Sequence, residues 1–524
     1  MQIQKKAIFS GFLFLYPHLC TGHEISQRQK LSLLKSYFPK GTKSLTPDTL
    51  LLISLSKSNQ IQQIRSQLID QDNASLKALS RYDTRVYLEG GYVTSKNLPQ
   101  PFSPQKVLES KQESASLSLT KTFKTATFVS AKIEALATDS EFLLSQNGQQ
   151  GGAPISIADK ETAFSVTLKQ SLWQNAFGKG DSLQLEAAKL APKATSLQVD
   201  YHTEQYTLKT LESYYDVWLA REQVLAAKRR LDAAKRLLNI IKKQYKIGTS
   251  EKPEYLEFKI SYAKANHAFL ESKDYFSQSW RSLVIALKLN LKILDIDPLL
   301  VPMQPDNFYL RAKSICRQYT ISSAERFKTS QLESALERKK AALFMYHNAK
   351  DHFKPDLSFI LATRANSREN NYGSSLSQSL SHKNPRIYAG LSFEYFFNKK
   401  AVQANALTHY KDYKIAQLAA EKVRSENKTK WVNLCHSLDL LVKKKALLKK
   451  SQKDLEEREK LQEKRFKLGR TSAFEMHRAQ TSVTENLISY SRTDAKIKMV
   501  SWQLRALASD IKGHLKSVLG RAYR

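Results

Sequence analysis

The sequence predicts an α+β fold made of two similar halves, each a pair of amphipathic strands followed by a very long helical hairpin. Three observations carry that expectation. First, the 524-residue chain has only 16 glycines and 14 prolines, and none falls within 193–247, 254–297, 398–468 or 470–512. Stretches that lack both helix breakers for so long read as helices far above the usual length of about 11–12 residues. At about 1.5 Å per residue, 398–468 alone would reach roughly 100 Å, taller than a compact domain. Second, QYKIGTSEKPEYLEF (244–258) and RFKLGRTSAFEMHRA (465–479) share an aromatic, a lysine, a branched apolar residue and a glycine in a row, and their glycines stand 469 − 248 = 221 residues apart. Third, ahead of each long helix the apolar residues change from a period of three to four to a period of two, the mark of a strand with one apolar face.

The chain opens with MQIQKKAIFSGFLFLYPHLCTGHE: Lys5 and Lys6, an apolar run from Ala7 to Tyr16, and small residues at Thr21 and Gly22. This describes a secretory signal peptide, 1–22, too short to span a bilayer as a helix. Leu19 ahead of Cys20 argues against a lipid anchor, since a small residue is wanted there. No later stretch approaches 18 consecutive apolar residues, which leaves an exported protein that is soluble, anchored or a membrane β-barrel.

The first repeat is placed at 23–297. Its strands are DTRVYLEGGYVT (83–94) and TAFSVTLKQSLW (162–173), where Phe164, Val166 and Leu168 alternate with polar residues. Between them an insertion, about 95–161, contains a second hairpin, SASLSLTKTFKTATFVSAKIEAL (114–136), which either joins the sheet or stands above it. The long helix carries Leu208, Leu211, Tyr215 and Trp218, then Ala234, Leu237, Ile241 and Tyr245, the stripe of an antiparallel coiled coil that closes at Gly248. DIDPLLVPMQPDN (295–307), with three prolines, marks the connector between the halves, which is placed at 298–310. The second repeat, 311–524, has strands KPDLSFILATR (354–364) and RIYAGLSFEYFF (386–397) around a polar loop (365–384), then a helix with Trp431, Leu434, Leu438 and Leu441 that turns at Gly469. Gly248 and Gly469 both suit a helix C′ position, where glycine alone enters the left-handed region at little cost.

The net charge of +34 suggests nucleic acid or an acidic surface. Yet the basic residues are spread along every helix, often beside glutamates as in DLEEREKLQEKRFK (454–467), so solvated helix faces and no nucleic-acid partner are expected. Cys316 and Cys435 show no metal spacing and read as packing residues. There is no phosphate loop, no HExxH and no serine elbow, and lone histidines such as His267 and His477 read as helix-surface residues. No catalytic residue, metal or cofactor is expected, and the chain is not read as an enzyme.

These features together resemble the TolC-like outer-membrane efflux proteins. The local matches are LKQSLWQNAFGKGDSLQLEAAK (168–189), the turns YKIG and FKLG, and SNQIQQIRSQ (58–67), and the resemblance covers roughly 45–515. It implies a homotrimer whose protomers each give four strands to one β-barrel in outer-membrane lipid, continued by a periplasmic coiled-coil tunnel. The implied role is the exit duct of a tripartite efflux or type I secretion system, working with a periplasmic adaptor (membrane fusion) protein and an inner-membrane pump. The strands alone ask for oligomerisation, because a hairpin with open edges cannot cross lipid until other strands close it.

The resemblance also implies a gate at the tunnel tip, with carboxylates six and nine positions after each turn glycine. Those positions hold Glu254 and Glu257 after Gly248, and Glu475 and Arg478 after Gly469. Arg478 departs from the acidic pattern. It either pairs with a carboxylate, Glu475 on its own helix or Glu254 or Glu257 on the adjacent hairpin, or is a solvated surface charge. A different class of function, a secreted or periplasmic coiled-coil protein binding an acidic partner through its basic helices, would have no use for symmetric alternating strands.

Overall fold

The computed structural model describes residues 26–38, 44–96, 105–144, 155–297, 299–306, 309–318, 328–369, 371–381 and 385–522. The expected signal peptide lies outside them. The first half contains α1 (Gln27–Lys35), α2 (Pro47–Lys57), α3 (Asn59–Ser66), α4 (Asn73–Leu79), β1 (Arg85–Lys96), β2 (Gln105–Thr122), β3 (Thr127–Leu144), β4 (Ile155–Ser171), α5 (Lys179–Lys246) and α6 (Lys252–Ala286). The second contains α7 (Tyr309–Gln318), α8 (Ser330–Asp351), β5 (Asp356–Glu369), α9 (Tyr372–Leu380), β6 (Pro385–Glu394), α10 (Lys400–Lys467), α11 (Ala473–Leu507) and α12 (Asp510–Ala522).

The long helices match in length, 68 residues for α5 and α10 and 35 for α6 and α11. Their starts and ends are all offset by the spacing of the turn glycines: 400 − 179, 467 − 246, 473 − 252 and 507 − 286 each give 221. Beyond α6 and α11 the chain breaks at Lys288 (φ 53°) and Ser509 (φ 59°), again 221 apart. A break made by non-glycine residues in the left-handed region has no sequence punctuator, which is why the helix expected through 297 stops at Ala286. Conversely, α5 starts at Lys179 and runs through Pro192, before the breaker-free stretch begins.

The chain divides into two compact units. One comprises residues 63–202 and 325–429 and holds a six-stranded antiparallel sheet in sequence order, β1 to β6. Six strands replace the four expected, because the inserted hairpin enters the sheet as β2 and β3. β1 pairs with β2 and β3 with β4, so the two first-half strands foreseen as a hairpin are not neighbours. The insertion shares the period-two pattern of the flanking strands, and that pattern permits ladder pairing as readily as a separate hairpin. The segment expected as a polar loop at 365–384 also differs: β5 continues to Glu369, and α9 follows with Asn371 as its N-cap. Ser375 of α9 hydrogen-bonds Thr162 of β4 (2.8 Å) and donates to the Ser367 carbonyl oxygen of β5 (2.7 Å), so α9 lies against the sheet.

The sheet is amphipathic in the manner the alternation requires. In register, Val86, Leu119, Ala131, Val166, Thr363 and Ile387 form one cross-strand row. The next row, on the opposite face, is Tyr87, Ser118, Lys132, Ser165, Arg364 and Arg386. Among the described residues β1 and β6 each pair on one side only, so the sheet has two bare edges.

The other unit comprises residues 1–62, 203–324 and 430–524. In it the half-buried Asp306 carboxylate accepts from the buried Tyr215 hydroxyl (2.5 Å) and from the buried Trp502 indole N–H (3.0 Å). Asp306 belongs to the segment expected as a connector, whose Val301 is fully buried. Cys316 of α7 and Cys435 of α10 form a disulfide with Cα atoms 5.7 Å apart, which corrects their reading as packing residues. Pairing over a separation of 119 residues leaves no local spacing signal, so only the fold could bring it out.

Candidate site at the paired helical turns

Both turns sit in the second of these units and close in the same way. After α5, the Thr249 N–H donates to the Gln244 carbonyl (2.9 Å) and the Gly248 N–H to that of Tyr245 (3.2 Å). After α10, Arg470 donates to Arg465 (2.8 Å) and Gly469 to Phe466 (3.0 Å). These are the two bonds of a Schellman motif, and they need a left-handed C′ residue. Gly248 has φ +77° and Gly469 φ +71°, as the sequence predicts.

Below the turns the helix ends are held by apolar packing. Leu237, Ile241, Phe258 and Ala473 form a buried cluster, with Leu238, Tyr255 and Phe466 against it, so α5, α6, α10 and α11 all contribute. Each large side chain buried this way contributes about 1.5–3 kcal/mol. Tyr245 and Tyr255 stack across the first hairpin, rings parallel to within 8° and 5.2 Å apart.

The charged residues expected at the gate are not brought into one cluster. Glu254, half-buried, accepts a hydrogen bond from Ser250 within its own turn (2.7 Å). Glu257 is exposed. Glu475 lies in the first turn of α11, its N–H taken by the Ser472 N-cap hydroxyl (3.3 Å), and its carboxylate faces Arg458 of α10 (3.9 Å). Arg478 is exposed and forms no ion pair with the described residues of its own chain. The pairing with Glu475 considered for Arg478 is thus taken by Arg458, which the sequence did not single out. The sequence carried no signal for it: Arg458 lies 11 residues before Gly469 and Glu475 six after it, whereas facing positions of an antiparallel hairpin stand at equal distances from the turn.

His477 is the other residue that sequence reasoning undervalued. It is half-buried rather than on the helix surface, with Nε2 3.3 Å from the Ser261 hydroxyl and its ring edge-on to Phe258. Burial, with Arg230 adding to it and Glu257 opposing it, lowers its pKa below the usual 6.5. It joins α11 to α6. His267, by contrast, is exposed beside Glu271, as expected.

Among the described residues no cluster of His, Cys, Asp and Glu could hold a metal ion, and no helix is long and apolar enough to cross a membrane. No protein-family model matches the sequence, and no curated protein matches it. Solved structures do. The outer membrane protein VceC of Vibrio cholerae aligns with a TM-score of 0.62 at 10% identity, over 88% of this chain and 96% of that one. The CmeC outer membrane channel of Campylobacter jejuni aligns with 0.61 at 12%, over 91% and 90%. The MtrE outer membrane channel of Neisseria gonorrhoeae, in its open state, aligns with 0.56 at 12%, over 88% of each. This chain has the fold of the TolC-like outer-membrane channels. At such identities the likeness is one of fold, and it spans nearly the whole length of each protein compared.

Proposed function

We propose that three copies of this chain assemble into an outer-membrane exit duct of a tripartite efflux or type I secretion system. The observation that carries the reading is the amphipathic sheet with two bare edges. A sheet apolar on one face and polar on the other can cross lipid only when its edges are closed into a barrel, apolar face outward. The paired helical hairpins then line the periplasmic tunnel, and their turns form its gate. Gly248 and Gly469 shape the tips that meet a periplasmic adaptor, which couples the duct to an inner-membrane pump. Glu254, Glu257, Glu475 and Arg478 supply the charges of the closed state, with Arg478 free to reach a carboxylate on a neighbouring copy. The chain performs no chemistry of its own. The Cys316–Cys435 bridge supports an exported location, since disulfides persist in oxidising compartments such as the periplasm. A secreted coiled-coil binder of acidic partners is disfavoured by the same sheet, whose apolar face would lie open to water. Cell fractionation followed by crosslinking tests the reading: a trimer in the outer-membrane fraction is expected, and a soluble periplasmic monomer would overturn it.

A further inference from the structure

The inserted hairpin β2–β3 has no place among the four strands per protomer that the resemblance implies, and three observations say what it does. Its apolar face is continuous with the faces of the strands on either side. Leu88 of β1 pairs in register with Leu117 of β2, Leu117 with Ile133 of β3, and Ile133 with Phe164 of β4. A lid standing clear of the membrane would not need to match its neighbours' apolar rows. Its polar face is also tied into the common polar face: Glu134 of β3 pairs with Lys132 beside it and, across β4, with Arg364 of β5 at 3.3 Å. Four residues further along β5, on the same face, Arg368 bridges Asp159 (2.8 Å) and Glu161 (3.3 Å) of the neighbouring β4.

The third observation is at the hairpin's turn, Lys124–Ala126. It is seated on the junction that leads from β4 into α5, where Gln170 donates to the Thr125 carbonyl at 2.9 Å. Gly178, with φ +81°, makes room for it: a Cβ there would lie 1.8 Å from the Lys124 carbonyl oxygen. The hairpin is thereby built into the base of the sheet as well as its wall.

Resting on the duct reading above, we infer that β2 and β3 are wall strands and that the trimer closes a barrel of 3 × 6 = 18 strands, with β6 of one copy paired to β1 of the next. The partner at each bare edge is a second copy of this chain. Because neighbouring strands alternate in direction, β1 and β6 run oppositely, and every copy-to-copy junction is antiparallel like the rest. One copy's six strands fall short of the eight of the smallest membrane barrels, so closure within a single chain is excluded. Barrel diameter grows roughly linearly with strand number, so this wall is about 1.5 times as wide as one of 3 × 4 = 12 strands, or roughly 2.25 times in cross-section. The extra width belongs to the membrane segment alone, while the periplasmic tip continues to set the closed state.

The test labels single cysteines with an environment-sensitive fluorophore in the full-length protein reconstituted in vesicles that carry nitroxide lipids. Leu117→Cys and Ile133→Cys report the inserted hairpin, Leu88→Cys and Leu168→Cys the flanking strands, and Ser118→Cys the polar face. Quenching at 117 and 133 as strong as at 88 and 168, with 118 open to a water-soluble thiol reagent, is expected. Quenching at 88 and 168 but not at 117 and 133 overturns the inference and leaves the duct intact. Loss of quenching at all four apolar sites overturns the duct reading and the inference with it. Should a variant fail to assemble, electron cryo-microscopy of the unmodified protein in lipid counts the wall directly: eighteen strands support the inference and twelve overturn it.

Discussion

The two helical hairpins share a backbone and differ in what fastens them. Helix lengths, turn bonds, positive-φ glycines and the left-handed breaks beyond all coincide at a constant offset. The fastenings do not. At mid-height α5 is held where the Tyr214 hydroxyl donates to the Leu45 carbonyl (2.8 Å), whereas at the matching position of α10, 214 + 221 = 435, a covalent bridge runs to Cys316. At the tips, the first hairpin uses an aromatic stack and a Ser250–Glu254 bond, and the second an N-cap and an ion pair that crosses between its helices. The backbone geometry is kept the same in both halves, while the side-chain ties differ. The second hairpin is anchored covalently at mid-height, and its tip carries Arg478, an exposed cation with no ion pair among the described residues.

The largest expected difference lies at mid-height. Cys316→Ser should lower stability by about 2–5 kcal/mol, as loss of a bridge that closes a long loop does. Tyr214→Phe removes one of two donors to the Leu45 carbonyl, which keeps the Gln304 N–H (3.2 Å), and should cost only about 0.5–1.5 kcal/mol. Denaturant unfolding of both variants checks the order, and equal losses would mean that the two anchors are equivalent.

Next come the turns. Valine at either glycine is strained in the left-handed region by about 1–2 kcal/mol or more, so Gly248→Val and Gly469→Val should loosen their tips to a similar extent. Amide hydrogen exchange over the last turns of α5 and α10 measures this. Faster exchange at one site only would break the backbone symmetry.

Smaller again is Arg458→Ala. The Arg458–Glu475 pair is about half exposed, and such pairs contribute roughly 0.2–1 kcal/mol, so exchange should rise slightly at the second tip and not at the first.

The last effect depends on pH. His477 has a folded pKa below its ordinary 6.5, so the unfolded state binds more protons between the two values and stability rises with pH there. Acidification from neutrality should therefore weaken the α6–α11 contact as pH falls below about 6.5 toward the folded value. A His477→Gln protein should show a flatter pH profile of tip exchange, and an unchanged profile would exclude this histidine as the group responsible.

The sequence made legible what repeats and what alternates. The turns at Gly248 and Gly469, the extents of α10 and α11 near those turns, and all the strands could be read because breakers and periodicity are local signals. The Cys316–Cys435 bridge, the Arg458–Glu475 pair and the burial of His477 against Phe258 depend on register between distant helices, which no local pattern encodes. The strand count was missed for a related reason. Alternation announces β2 and β3 but does not say which strands they pair with, and the seat for their turn is visible only at Gly178.

Single-channel recording of the purified protein in planar bilayers, with Arg478→Glu beside the unaltered protein, decides whether a duct is held shut at the paired turns. Reversing this exposed charge turns attraction to neighbouring carboxylates into repulsion once per protomer, and it touches neither the sheet nor the packed cluster below the turns. A small conductance is expected for the unaltered protein and a larger one for Arg478→Glu, with equal assembly of the two. Equal conductance from the two proteins would contradict a gate at these turns, and the absence of any channel would contradict the duct.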